Sequence, residues 1–64
     1  MKRPFLVVFD IHPLFAIQAR VHEVDADRAI ALAADKIAFH RPDWKRDIED
    51  CILLGGVSAV AVTR

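Results

Sequence analysis

Residues 25–40, DADRAIALAADKIAFH, decide how this 64-residue chain is read. Alanine, leucine, lysine and arginine dominate the stretch, and no glycine or proline interrupts it, so it predicts the one long helix of the chain. Asp25 is placed as its N-cap, where the carboxylate can accept from free N–H groups of the first turn. Asp27 adds negative charge at the positive end of the helix dipole. The stop is equally clear, because Pro42 pushes Arg41 out of the α region.

Stepping about 100° per residue, Ala26, Ile30, Ala33, Ala34 and Ile37 share one side and form a flat stripe suited to lying on a sheet. Leu32 and Phe39 fall one heptad apart on nearly the opposite side, among Arg28, Asp35 and Lys36. Apolar groups there ask for a cover. Either the following segment folds back over them, or a partner chain does. Leu32, Phe39, Arg28 and Lys36 are therefore candidate protein-binding residues.

Working outward from the helix, Phe5-Leu6-Val7-Val8-Phe9 is an unbroken run of β-formers and reads as the central strand of a sheet. Asp10-Ile11-His12-Pro13 reads as a turn. From Leu14 to Val24 the pattern alternates, with Phe15, Ile17, Ala19 and Val21 on one side and Gln18, Arg20 and His22 on the other. This predicts a half-buried strand hairpinned onto the first.

Beyond the helix, Asp43 is a candidate cap for a short helix starting at Trp44, since Trp44, Ile48 and Cys51 or Ile52 recur at helical spacing. Ile52-Leu53-Leu54 also fits a strand entering a Gly55-Gly56 hairpin, which leaves room for a fourth strand. Residues 57–63, VSAVAVT, predict the last strand. Right-handed connection then orders the strands two, one, three. The fold expected is α+β: a small, mainly antiparallel sheet with one long helix on one face, ββαβ plus a short helix or strand. All 64 residues make one domain. The sheet's other face combines Gln18, Arg20 and His22 with apolar residues of the flanking elements, a mixed surface suited to association.

Composition sharpens this. At 55% hydrophobic, the chain carries more apolar surface than one helix and a small sheet can hide. A lone core of this size supplies only about 3 to 5 kcal/mol, so association is expected, either as a homo-oligomer or with a protein partner. Nine basic and nine acidic residues balance to zero net charge, which argues against nucleic-acid and membrane-surface roles. The apolar run after Lys2 and Arg3 is broken by Asp10 and His12, and it lacks the small-residue cleavage site of a signal peptide. A single cysteine, Cys51, suits a reducing cytoplasm.

No constellation announces chemistry. His12, His22 and His40 lack ligand partners at helical metal-site spacing, and one thiol is too few for structural zinc. Neither a metal nor any other cofactor is expected. Cys51 follows Asp47, Glu49 and Asp50, which disfavour a thiolate, and it reads as a small buried group. Pro4 lies behind three residues, which withholds, unless processing exposes it, the free amine that tautomerases of about this length draw from an N-terminal proline. Gly55-Gly56 precedes a strand and lacks the lysine and helix start of a phosphate loop. Trp44, beside Lys45 and Arg46, is either an interface anchor or a core residue set against Leu32 and Phe39.

The basic start, FLVVF, the second strand and V-D-A-D-x-x-x-A opening an alanine-rich helix resemble small accessory proteins of actinobacterial phages and mobile elements. The first forty residues are also similar in pattern to the partial RNase-H-like fold of HicB-type antitoxins, without that family's glycine-bearing hairpin and third strand. Residues and composition together favour a non-catalytic protein-binding module, acting as a homodimer or docked on a partner protein. A nucleic-acid-binding or antitoxin-like regulator would need a basic patch from Lys2, Arg3, Arg20 and Arg64. A small enzyme would need an enclosed polar pocket holding a histidine or Cys51.

Overall fold

A computed structural model describes residues 1–11 and 15–62. Three strands form one sheet: β1 (Arg3–Ile11), β2 (Phe15–Glu23) and β3 (Val57–Ala61). Their order is β2-β1-β3, with both outer strands antiparallel to β1. This is the small α+β fold and the strand order expected from the sequence. β1 runs beyond Phe9 to Ile11, so Asp10 and Ile11 belong to the strand and not to the turn. The rest of the expected turn, with Leu14, lies outside the described residues, as do Thr63 and Arg64.

The first helix, α1 (Ala26–His40), begins and ends where its local chemistry requires. Asp25 is the N-cap, and its Oδ1 accepts from the Arg28 N–H at 2.8 Å. Arg41, restrained by Pro42, leaves the helical region at φ −133° and ψ 78°. Its N–H still donates to the Ile37 carbonyl at 2.7 Å, closing the last turn.

A single 3-10 turn, Pro42–Trp44, leads into α2 (Lys45–Leu53), which settles the ambiguity over residues 48–54 in favour of helix. Asp43 does not cap this helix, whose N-cap Trp44 makes no side-chain bond. Its carboxylate is taken instead by Arg41, at 2.9 and 3.1 Å. Gly55-Gly56 likewise ends a helix and does not turn a hairpin. Gly55 adopts φ +78°, its N–H donates to the Ile52 carbonyl at 3.2 Å, and the Gly56 N–H donates to the Cys51 carbonyl at 2.8 Å. That double closure is the Schellman arrangement, and a residue without Cβ relieves its left-handed position.

Both helices lie over the same face of the sheet. The core comprises Phe5, Val7 and Phe9 of β1, Val21 of β2, Ala29 and Ala33 of α1, and Ile48 and Cys51 of α2. The innermost line of α1 is therefore Ala29 and Ala33, turned towards Leu32 from the stripe expected around Ile30 and Ile37. The reason is that α2 also shares this face, so α1 packs against a sheet and a helix together. Small residues there let the backbones approach, and Ile48 and Cys51 fill the space beside Phe9. On the opposite face Leu6 and Val8 of β1 are only half-buried, so β1 is not covered equally on both sides.

Candidate functional site

The residues expected to bind protein separate in the structure. Leu32 is half-buried and packs against the core, so it does not stand in an outer stripe with Phe39. Phe39 is 82% exposed, its ring edge-on to His40 with centroids 5.4 Å apart. Arg28 is exposed, with its Nε 4.0 Å from Asp25 at the start of α1. Phe39 is left open by the segment after α1, whereas Leu32 packs against the core that this segment helps to build. Trp44 instead meets Phe15, with centroids 5.4 Å apart, while the Arg41 guanidinium lies 3.8 Å above the tryptophan ring.

Lys36 and Trp44 do come together, in a groove of about 360 Å³ between the end of α1 and β2. Its floor is apolar: Ile17 and Ala19 from the covered side of β2, Ile37 from α1, and Trp44, all half-buried. Its rim is Lys36, His40 and Arg41, and Arg20 borders it from the edge strand β2, where its side chain leaves on the sheet's other face; all four are exposed. Among the described residues no carboxylate lines it. Arg41 is held by Asp43, an exposed bidentate pair that raises the arginine pKa and lowers that of the aspartate through their hydrogen bonds. Among the described residues the other ion pair is Arg28–Asp25, so Arg20 and Lys36 have no acidic partner.

The far end of α2 has the opposite character. Residues 47–54, DIEDCILL, carry three carboxylates and no basic group. Asp47, Glu49 and Asp50 are exposed, and Leu53 and Leu54 stand 82% and 83% out of the fold. Asp47, Asp50 and Leu54 border a hollow with Asp10 of β1. At its base the Cys51 thiol donates to the Gly56 carbonyl at 2.9 Å and reaches towards the Asp10 carbonyl at 3.6 Å. Burial pushes this thiol above its ordinary pKa, so it is held in the form that does not attack electrophiles.

The third surface is the uncovered sheet face. The register puts Leu6 opposite Arg20 and Val60, and Val8 opposite Gln18 and Ser58. Val60 is 62% exposed. His22 is exposed on the same face, paired with Pro4. Among the described residues no group of histidine, cysteine and carboxylate side chains is placed to hold a metal ion. Of the basic residues read for a nucleic-acid patch, Lys2, Arg3 and Arg20 are exposed, and Arg64 lies outside the described residues. Strand alternation sends Arg3 and Arg20 to opposite faces of the sheet.

Sequence reasoning did not find the groove's Arg20 and Arg41 or the leucine pair at the end of α2. The groove joins positions far apart in the chain, and no local pattern marks it. The leucine pair had a local signal: read as helix, residues 47–54 put Leu53 and Leu54 just before the glycine terminator, outside the Ile48–Cys51 stripe.

No known family model, curated protein or solved structure matches this chain. The site must therefore be argued from its own chemistry.

Proposed function

We propose that this chain is a non-catalytic protein-binding module, which engages a second copy or another protein through apolar groups that its own fold leaves outside. One observation carries this reading. Phe39 of α1, Leu53 and Leu54 at the end of α2, and Val60 of β3 each remain more than half exposed. Charged neighbours, Lys36 near the first and Asp50 near the second and third, would set which partner is accepted. The two cation-flanked aromatics, Phe39 and Trp44, are the residue types that interfaces use as anchors. No helix among the described residues is long and apolar enough to cross a membrane. The lone thiol suits a reducing, cytoplasmic setting.

The test combines sedimentation across a concentration series with capture of a defined partner on immobilised chain. Phe39→Asp and Leu54→Asp are the variants of choice, because both side chains project from the fold and circular dichroism should stay unchanged. Leu32→Asp would put a charge against the core and unfold the chain instead. Loss of self-association or of a partner in either variant supports the reading. Retention in both, with the fold intact, removes it.

A further inference from the structure

The chain is neutral overall, but its charge is sorted by position. One end of α2 is acidic and tipped by Leu53 and Leu54, whereas the groove beside Trp44 is apolar and rimmed by Arg20, Lys36 and Arg41. The two surfaces share no lining residue. A single copy cannot join them. Trp44 stands before the first residue of α2 and Leu54 after the last, so the helix holds them roughly 15 Å apart at about 1.5 Å per residue. We propose that copies of this chain associate head to tail, the leucine-tipped acidic end of α2 on one copy seating in the cation-rimmed groove of the next. This deepens the protein-binding reading and rests on it, since it names the partner and the surface.

Three features support the match. Leucine side chains suit a floor built from Ile17, Ala19, Ile37 and Trp44, and their burial supplies attraction that both surfaces lack alone. Lys36, with Arg20 at the strand edge, has no acidic partner among the described residues of its own copy and gains Glu49 and Asp50 across the contact. Asp43 already occupies Arg41, whose guanidinium lies 3.8 Å over the Trp44 ring. A contact between two different patches is heterologous, so it builds rings or open chains as concentration rises.

Charge reversal tests this directly. One variant carries Glu49→Lys and Asp50→Lys at the acidic end, where positive charge in the last turns of α2 agrees with its dipole. The other carries Arg20→Glu and Lys36→Glu on the groove. All four residues are exposed, so circular dichroism should match the parent chain. In low salt the parent is expected to sediment above monomer mass in a concentration-dependent way and to fall back in high salt. Each variant alone should bind itself on the order of 100-fold more weakly. Mixed one to one, they should associate again, since each reversed surface then faces its complement. A parent that is monomeric throughout overturns the proposal. So do variants that assemble like the parent, or a mixture no better than its components. If the parent assembles and reversal leaves it untouched, the head-to-tail contact is wrong while the protein-binding reading stands on another surface.

Discussion

The two faces of the sheet use the same strand and nearly the same residue types, yet they meet opposite fates. Phe5, Val7 and Phe9 vanish under α1 and α2, whereas Leu6 and Val8, one residue out of step, stay half-open beside Val60. Hydrophobicity does not separate them; cover does. A 15-residue and a 9-residue helix suffice for one face of three strands, and both are bound to the same side. The lesson is that a short chain can saturate one core and still leave apolar residues of the same strand without a lid.

The sharpest way to break this comparison is to truncate one residue on each side. Phe9→Ala should cost about 3 to 5 kcal/mol in chemical denaturation, because a fully buried ring leaves a cavity beside Ile48 and Val7. Val8→Ala, half-open and next in sequence, should cost about 1 kcal/mol or less. Equal losses would mean that both faces are covered in solution.

A second prediction concerns what pins α2 to the covered face. The Gly56 carbonyl accepts from the Asp10 N–H at 2.8 Å and from the Cys51 thiol at 2.9 Å, joining β1 to the end of α2. A Cβ at this residue would sit 3.2 Å from Cys51 Sγ and 3.3 Å from the Asp10 carbonyl oxygen. Gly56→Ala should therefore destabilise by about 1 to 3 kcal/mol, as overpacking does. A neutral result, read by thermal melting, would show that the end of α2 can move away from β1.

How much of this was legible beforehand depends on whether the deciding interaction was local. The bounds of α1 were readable because Asp25 and Pro42 act within one turn of themselves. The strand order followed from connectivity and from the alternation of Phe15 to Val21. FLVVF, by contrast, conceals which of its faces is covered, since both alternating sets are apolar. The role of Gly55-Gly56 was ambiguous for a related reason: glycine pairs end helices and turn hairpins alike, and only the bonds to Cys51 and Ile52 decide. The groove was out of reach, because residues of β2 and α1 border it together only after the two elements have packed. Asp47, Glu49 and Asp50 read as a solvated face, which they are within one copy.

Titration of Cys51 sharpens the same contrast. Its pKa in the fold is raised above the ordinary 9.0, mainly by burial, so the folded state holds the thiol proton more tightly than the unfolded chain does. That contribution is in full force below the ordinary thiol range and fades as pH rises through the folded value. The stability advantage of the parent over Cys51→Ala should therefore be constant near neutrality and shrink on going alkaline. Melting temperatures of the two proteins between about pH 7 and pH 11 measure it. A gap that widens with pH would mean that the thiolate, and not the thiol, is favoured beneath α2.

The smallest expected effect bears most directly on the open face. Val60→Thr keeps a β-branched side chain in β3 and puts a hydroxyl where water already reaches it, so stability should move by no more than about 0.5 kcal/mol. The same exchange under a lid would strand that hydroxyl at a cost of about 1 to 3 kcal/mol. Melting Val60→Thr at low and high protein concentration separates the two cases, because a lid supplied by another copy makes the penalty grow with concentration. A flat response means that no other copy covers the open face. A growing one would mean that the two faces of the sheet differ not in whether they are covered but in which chain covers them.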